Sequence, residues 1–404
     1  MSVLNEAAVR SIALTTNVPV VFHGYVDDWP LCQWSLEKWN EIFGLTEYPF
    51  RCVNKYVQSQ EPCWERKCTI RKMTFKKFTE SAISSNEALY FDYKYLHEWF
   101  SDNDELCKEI LWEQFGFLNK GPRDTTLWVG SNGAHTPAHQ DTYGVNIVIQ
   151  VHGKKRWILF PPDSGGLKPT RVPYEESSVY SELNFYSPTD VQVFKGLTGA
   201  YVVELSAGDA LVVPHKWWHY VQNEHPVNIS LNMWLPHKED KSSRVSEAVI
   251  KIFVAQLCKE LTSEQVRQVV NPTEDELTST PLAELLYQLE ASSDQCLDEL
   301  NKSQRTKRQR TGDGGTSSDT IEIEYNLDAL VGNPDNKMEI VPKVTPEELI
   351  RLIEETKSRL KNDSISYQVE EDVPTLSSIK PVINAFCQNN VVDQFRRNLL
   401  SQLR

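Results

Sequence analysis

Long apolar runs and an excess of positive charge are both missing from this 404-residue chain. No stretch of about 18 uninterrupted apolar residues occurs, which disfavours a membrane-spanning helix. The first 20 residues have no cationic segment followed by an apolar one, so secretion is also disfavoured. Lys and Arg total 42 against 56 Asp and Glu, and the net charge of −14 argues against nonspecific binding to phosphate backbones. We therefore expect a cytoplasmic protein, with the nucleus as the alternative compartment.

Cysteine pairs of the C-x-x-C type are absent too, although the chain has 8 cysteines. This argues against a zinc ribbon, and a reducing compartment would keep the thiols free. Tryptophan and histidine are missing from the C-terminal part, since all 11 tryptophans precede residue 235 and the last histidine is His237. The change in composition predicts a boundary near residue 237.

Different patterns lie on the two sides of this boundary. Before it, short β-branched and aromatic runs are separated by Gly and Pro, as in a β-sandwich or barrel. After it, apolar residues recur at helical intervals, and Thr280 and Thr345 each precede a proline, which is typical of helix N-termini. The predicted divisions are a β region with N-terminal elements, a helical region, a linker and a second helical region: 1–237 (core about 90–237), 238–300, 301–343 and 344–404.

The predicted linker contains a basic run followed by small residues. Residues 302–310 are rich in Lys and Arg, and residues 312–318 are rich in Gly and Ser. Such a composition is typical of a disordered linker because it offers little apolar surface to bury. A nuclear-import signal is the alternative interpretation of the basic run.

One His-x-Asp pair, His139 and Asp141, stands in the β region. A single pair of this kind is expected by chance about as often as not, but on a strand both side chains would lie on one face. His219, at the end of a strand that runs through a proline turn, is the best candidate for a third ligand. Two histidines and a carboxylate would hold a metal and leave its other side open, as a non-haem Fe(II) oxygenase requires. A hydrogen-bonded structural histidine beside two tryptophans is the alternative for His219.

A predicted hairpin brings a lysine towards this pair. Residues 146–152 alternate, Gly153 and Lys154 are typical of a two-residue turn, and residues 155–160 return, so Lys155 would pair with His152. The residues that this pairing puts on one face are Asn146, Val148, Gln150, His152, Lys155, Trp157 and Leu159. An ammonium beside a metal would bind the remote carboxylate of a dicarboxylate that chelates the ion. A solvent-exposed lysine in the basic cluster 154–156 is the alternative.

The last predicted strand of the β region also has two different faces. Asn228, Ser230 and Asn232 share one face, and the residues between them are apolar. A polar face in a tryptophan-rich region is either exposed to solvent or lines a wet pocket. The sequence leaves both open.

Several separated motifs, in order, resemble the JmjC-domain 2-oxoglutarate/Fe(II) oxygenases, in the small cupin-like subgroup that includes the factor-inhibiting asparaginyl hydroxylase. The resemblance covers roughly residues 18–235 and rests on the segments 134–141, 153–162, 172–178 and 208–219. It implies a mainly β fold: a double-stranded β-helix (a jelly roll) with flanking N-terminal α/β elements and a C-terminal helical region. Relative to the asparaginyl hydroxylase, the segment after Asp141 is one residue longer, which bears on the role of Asn146.

The resemblance also implies a reaction and its site residues. The reaction is the oxidative decarboxylation of 2-oxoglutarate on Fe(II) with O₂, coupled to hydroxylation or demethylation of a protein substrate. The implied iron ligands are His139, Asp141 and His219. The implied 2-oxoglutarate contacts are Thr136, Asn146, Lys155, Asn232 and Tyr90.

Other functions remain open beside the leading one, a dioxygenase acting on a protein. The resemblance implies a small heat-shock protein as a partner and a role in the stress response, so a non-catalytic JmjC scaffold that binds this partner is the main alternative. An RNA hydroxylase is disfavoured by the negative charge. A histone demethylase would lack a visible reader module. The C-terminal helices either pack on the barrel or form an element for homodimerisation or for docking a partner.

Overall fold

The computed structural model describes residues 4–65, 68–170, 178–263, 265–266, 279–310, 325–358, 365–366 and 376–404. The motif residues 172–177 and the linker residues 311–324 lie outside the described residues. Within the described ranges, no helix is both long enough and apolar enough to cross a bilayer.

The strands run through the whole chain and are concentrated before residue 236. They are β1 (Val20–Phe22), β2 (Tyr48–Asn54), β3 (Val57–Gln58), β4 (Thr69–Met73), β5 (Glu87–Tyr95), β6 (Thr125–Ser131), β7 (His135–Asp141), β8 (Val145–His152), β9 (Lys154–Phe160), β10 (Ser178–Tyr180), β11 (Tyr201–Ser206), β12 (Ala210–Val213), β13 (Trp218–Asn223), β14 (Val227–Leu235), β15 (Met338–Ile340) and β16 (Ile365–Ser366).

The helices flank this β region at both ends of the chain. They are α1 (Glu6–Thr15), α2 (Pro30–Gln33), α3 (Leu36–Phe43), α4 (Phe75–Ser84), α5 (Leu96–Trp99), α6 (Asp104–Lys108), α7 (Asp240–Leu257), α8 (Leu282–Arg310), α9 (Leu327–Val331), α10 (Pro346–Ser358), α11 (Leu376–Phe386) and α12 (Asn389–Gln402). Short 3₁₀ helices occur at Trp112–Phe115, Pro122–Asp124, Val191–Phe194 and Pro334–Asn336.

Two antiparallel sheets form the centre of the molecule. The larger sheet has the order β15-β1-β12-β8-β14-β6-β5-β2-β4, and the smaller one has the order β10-β7-β13-β9-β11. A short parallel pair, β16 with β3, stands apart. The predicted β architecture before residue 237 is confirmed.

Strand periodicity determines what each sheet face buries. On β8, Ile147 and Ile149 belong to the apolar layer under the N-terminal helices, whereas Val148 belongs to the layer between the sheets. On β9, Ile158 and Phe160 lie on the outer face of the smaller sheet, against α10. Both faces are therefore covered at the central strands β8 and β9, whereas four of the five residues of the edge strand β4 are exposed.

The predicted hairpin of β8 and β9 is wrong. β8 pairs with β12 and β14, whereas β9 pairs with β11 and β13, so the turn at Gly153 carries the chain from one sheet to the other. His152 lies opposite Ile229, and Lys155 lies opposite Asn223. Gly153 has φ +79°, and a Cβ there would come within 2.3 Å of a backbone carbonyl oxygen, so the turn requires glycine. The alternation of side chains along a strand is the same whether β8 and β9 pair with each other or lie in different sheets. The sequence pattern therefore could not distinguish these two arrangements.

The predicted linker at 301–343 is also wrong at both of its ends. Helix α8 continues to Arg310, and the residues from 325 onwards form α9 and β15. β15 pairs with β1 at the edge of the larger sheet, with Val20 opposite Ile340. A three-residue strand is too short to show a period, and its stability comes from a partner strand more than 300 residues away in the sequence.

The C-terminal helices begin close to the predicted positions. α10 starts at Pro346, directly after Thr345, with a capping box in which the Thr345 hydroxyl accepts from Glu348 N–H and the Glu348 carboxylate accepts from Thr345 N–H. With Thr280 as its N-cap, α8 would begin at Pro281. It begins one residue later, at Leu282. Boundaries of this kind depend on local bonds that propensity alone does not determine.

Candidate metal centre and its cavity

The three predicted ligands meet on two neighbouring strands of the smaller sheet. His139 and Asp141 lie two residues apart on β7, and His219 on β13 lies directly opposite His139. The Nε2 atom of His139 is 3.5 Å from Asp141 Oδ1, and the Nε2 atom of His219 is 4.0 Å from Asp141 Oδ2. One potential ligand atom from each side chain lies within 4.8 Å of the other two. These side chains therefore offer three ligand atoms to one metal ion.

Backbone carbonyls orient both imidazoles. The Nδ1 atom of His139 is 3.0 Å from the Pro137 carbonyl oxygen, and the Nδ1 atom of His219 is 3.0 Å from the Trp217 carbonyl oxygen. A carbonyl only accepts, so each Nδ1 carries the proton and each Nε2 presents its lone pair. Burial, with a further effect from neighbouring His219, lowers the pKa of His139 to about 4. The neutral imidazoles and the carboxylate fit a divalent transition metal.

Two tryptophans hold the ligands from the cavity side. Trp234 Nε1 donates to Asp141 Oδ2 at 3.0 Å, which orients the carboxylate. The Trp157 ring stacks on the His219 ring with centroids 5.7 Å apart. Both contacts fix the ligands before any ion is bound, which lowers the entropic cost of coordination.

Lys155 is buried at the inner end of the same cavity, with 2% of its surface exposed. Its Nζ donates to the Ser230 hydroxyl at 2.6 Å and lies 5.9 Å from the ring centroids of Tyr90 and Trp128. Burial lowers the pKa of Lys155 to about 7, although Asp92 opposes the shift. Among the described side chains no carboxylate forms an ion pair with this ammonium, so it is free to bind an anionic ligand.

Amide side chains from the larger sheet complete the polar wall. Asn232 Nδ2 donates to Asn146 Oδ1 at 2.9 Å, and Trp128 Nε1 donates to Asn232 Oδ1 at 2.7 Å. Tyr90 and Thr136 are hydrogen-bonded to each other, and burial raises the pKa of Tyr90. The polar face of β14 therefore lines a pocket at Ser230 and Asn232, which resolves the two alternatives that the sequence left open.

A cavity of about 620 Å³ joins all of these groups and lies in the size range of small-molecule sites. Every predicted ligand and co-substrate residue lines it: Tyr90, Thr136, His139, Asp141, Asn146, Lys155, His219 and Asn232. From the predicted hairpin face, Val148 and Trp157 also line the cavity, whereas Gln150, His152 and Leu159 do not. Asn228 instead stabilises the turn at Gly153, because its Oδ1 accepts a hydrogen bond from the Lys154 N–H at 2.8 Å.

Sequence reasoning placed Trp157 on the face that lines the site, but it missed Trp234 and Trp128. Trp234 lies two residues after Asn232 on β14, so strand periodicity could have placed it on the same face. Trp128 has no comparable signal, because its contact with Asn232 depends on the register of β6 and β14, in which Trp128 lies opposite Ser230.

The sequence model of the cupin-like domain family matches residues 6–241 of the chain. The chain belongs to the cupin-like domain family. This membership and the two antiparallel sheets confirm both the predicted resemblance and the predicted cupin-like β fold.

Curated relatives have two kinds of name. HSPB1-associated protein 1 of Bos taurus is 39% identical over 286 residues, which is 67% of this chain and 59% of the relative. HSPB1-associated protein 1 homolog of Danio rerio is 37% identical over 287 residues, which is 67% of this chain and 63% of the relative. Lysine-specific demethylase JMJ30 of Arabidopsis thaliana is 28% identical over 233 residues, which is 56% of this chain and 51% of the relative. The cupin-like chain thus spans about three fifths of the first two relatives.

Proposed function

We propose that this cupin-like protein is an Fe(II)- and 2-oxoglutarate-dependent oxygenase that hydroxylates or demethylates a protein. The observation that carries the proposal is the combination of two neutral imidazoles, a carboxylate and an unpaired buried ammonium in one cavity. A metal site alone would be compatible with many activities. The buried lysine narrows these activities to ones with an anionic ligand, because desolvating an ammonium is costly unless an anion binds there.

The iron would be held by His139, Asp141 and His219. Bound there with 2-oxoglutarate and O₂, it supplies the oxidation of a substrate C–H bond, with succinate and CO₂ as co-products. The chain contributes the tautomers of both histidines, through the Pro137 and Trp217 carbonyls. It also contributes the orientation of the Asp141 carboxylate, through the indole N–H of Trp234.

The 2-oxoglutarate would lie between the metal ligands and Lys155. One end of the dicarboxylate would chelate the metal. The Lys155 ammonium and the Ser230 hydroxyl would bind the carboxylate at its other end. Asn146, Asn232 and the Thr136–Tyr90 pair offer further polar contacts along the wall. The Asn146 and Asn232 amides bond to each other, so their positions are fixed in advance.

A protein substrate is supported by the names of several relatives, which include lysine-specific demethylases. Other relatives are named for association with HSPB1. We therefore keep, as the second candidate, a scaffold that binds a small heat-shock protein without turnover. The two are compatible, because partner binding and the metal centre need not use the same surface.

Succinate release tests the proposal. Purified protein with Fe(II), ascorbate and 2-oxoglutarate is expected to release succinate above background, and more in the presence of a peptide panel that includes small heat-shock protein sequences. Lys155→Met should abolish the release, whereas Lys154→Met, which removes an exposed neighbouring ammonium, should not. Equal release by wild type and Lys155→Met would refute the assignment. Full binding of the heat-shock partner by His139→Ala/Asp141→Ala, together with no release by wild type, would establish the scaffold.

A further inference from the structure

The larger sheet ends in an exposed strand beside the cavity of the candidate metal centre. β4 is the last strand of this sheet, and among the described residues it pairs only with β2. Four of its five residues are exposed, and the fifth, Met73, belongs to the apolar layer under the N-terminal helices. The free side of β4 is therefore a row of backbone groups that face water.

The register of β2 and β4 shows which backbone groups face outwards. Pro49 lies opposite Lys72 and has no N–H, so these two residues do not exchange a pair of hydrogen bonds. Hydrogen-bonded and non-hydrogen-bonded pairs alternate along an antiparallel ladder, so the N–H and C=O groups of Ile70 and Lys72 point away from β2. No backbone group in the described ranges bonds to them on that side. The edge therefore offers two donors and two acceptors to a further strand.

The side chain of Ile70 connects this edge with the cavity. Ile70 lies opposite Arg51, and both residues line the cavity that contains the metal ligands. Ile70 is nevertheless 66% exposed, so it stands at the cavity mouth. An edge strand that only has to avoid pairing carries charged side chains. An exposed isoleucine in the middle of β4 instead offers an apolar contact to a partner.

The surface along this edge is positively charged. Lys72 on β4 and Lys76 and Lys77 in the first turn of α4 are exposed, and none of them forms an ion pair with a described residue. The whole chain has a net charge of −14, so these three ammonium groups are a local exception. Such a patch attracts a negatively charged partner.

We propose that β4 binds an acidic polypeptide segment, which adds to the larger sheet as an extended strand. An extended backbone is the ligand that matches outward N–H and C=O groups on alternate residues, and acidic side chains match the three lysines. A second copy of this chain fits less well, because pairing β4 with β4 would bring the basic residues of two copies together. The inference rests on the proposed function only in taking the segment to belong to the protein substrate, since binding itself needs neither iron nor 2-oxoglutarate.

Selection from a displayed peptide library tests the inference. The full chain is immobilised and exposed to random peptides about 12 residues long, which is enough for one strand and its flanks. Selected peptides are expected to be rich in Asp and Glu, to alternate these with β-branched residues and to lack proline. The strongest binder is then labelled, and its dissociation constant is measured by fluorescence anisotropy without iron or 2-oxoglutarate.

Charge reversal at the edge should weaken binding of this peptide. For Lys72→Glu/Lys76→Glu/Lys77→Glu we expect a dissociation constant raised by about tenfold or more, because three ion pairs are replaced by repulsion. Circular dichroism checks that the variant folds. The matched control, which should bind as wild type does, reverses three exposed lysines elsewhere: Lys108→Glu, Lys195→Glu and Lys259→Glu.

Two further measurements distinguish strand addition from charge attraction alone. The bound peptide should slow hydrogen exchange at the Ile70 and Lys72 amides by about tenfold or more, since both would donate to its backbone. N-methylation at alternate peptide positions keeps the charge but removes N–H donors, and it should weaken binding by about tenfold. This second measurement needs no change in the chain, so it also serves if the charge-reversal variant does not fold.

Several results would overturn the inference: no binder, binders that are not acidic, equal binding by the charge-reversal variant, or unchanged exchange at Ile70 and Lys72. A dimer in light scattering that protects the same amides without peptide would also overturn it, because a second copy would then occupy the edge. His139→Ala/Asp141→Ala should bind the peptide as wild type does. Peptide binding without succinate release would contradict the proposed function alone.

Discussion

Binding of 2-oxoglutarate should be coupled to proton uptake by Lys155. Among its described contacts Nζ donates only to the neutral Ser230 hydroxyl, and burial lowers the pKa of Lys155 to about 7. A bound carboxylate favours the charged ammonium and raises this pKa. At pH 8 most molecules must therefore take up a proton when the dicarboxylate binds.

The size of the effect follows from the pKa. With a pKa of about 7, roughly one tenth of the molecules carry the proton at pH 8 and roughly nine tenths carry it at pH 6. Uptake should then be about 0.9 proton per bound ligand at pH 8 and about 0.1 at pH 6. The apparent affinity for 2-oxoglutarate should fall about tenfold between pH 6 and pH 8. His139 does not obscure this change, because burial lowers its pKa to about 4.

Anaerobic titration calorimetry measures the uptake. At pH 8, with the metal bound, the observed enthalpy of 2-oxoglutarate binding is measured in buffers of different ionisation enthalpy. The slope of the observed enthalpy against the ionisation enthalpy gives the number of protons taken up. Lys155→Met should lose the slope and bind more weakly by about 10- to 100-fold, since hydrogen bonds to charged groups contribute about 1.5–3 kcal/mol. Lys154→Met, whose ammonium pairs with Glu204 outside the cavity, should behave as wild type. A zero slope in wild type, or an equal slope in Lys155→Met, would refute the reasoning.

The same lysine should destabilise the ligand-free fold. Its folded pKa lies below its unfolded value, so between about pH 7 and pH 10.4 the unfolded chain binds more protons, and stability rises with pH across this interval. At pH 6.5 the unfavourable contribution is close to its full size, on the order of a few kcal/mol. Lys155→Met should therefore unfold at higher urea concentration than wild type at pH 6.5, while its ligand affinity falls. A lower urea midpoint would contradict this account.

Three further substitutions test the site and the fold. Trp234→Phe, which removes the indole bond to Asp141, should weaken metal binding at the candidate centre by about 10- to 100-fold in a chelator competition, whereas Trp128→Phe should not. Gly153→Ala should lower the free energy of unfolding by more than about 1 kcal/mol in urea titration, because its φ is positive and a Cβ would clash with a carbonyl. Thr345→Ala removes one side of a capping box and should lower the free energy of unfolding by about 1 kcal/mol in the same assay. Thr345→Ser should be close to wild type.

The proximity of two of the candidate metal ligands was predictable because strand periodicity acts locally. His139 and Asp141 are two residues apart, so any strand assignment puts them on one face. His219 could be named from its surroundings, but its position opposite His139 depends on the pairing of β7 with β13. No local pattern encodes that pairing, since it joins segments separated in the chain by five other strands, β8 to β12, of which β9, β10 and β11 belong to the same sheet.

The edge of the larger sheet was not predictable for a related reason. β15 has three residues, and its stability comes from hydrogen bonds to β1 near the other end of the chain. Its flanking segment was composed of polar and small residues, so composition favoured a linker. Local propensity is a weak guide where distant pairing supplies the free energy.

The correct placement of Lys155 from a wrong hairpin has a physical explanation. A two-sheet sandwich has one interior, and the inner faces of both sheets point into it. When the chain crosses from β8 to β9 at Gly153, side chains that would have been neighbours in a hairpin face each other across the interior instead. Asn146 and Lys155 therefore line one cavity under either pairing. It follows that the site depends on the spacing between the sheets, and that changes at their connections should alter ligand affinity without touching a lining residue.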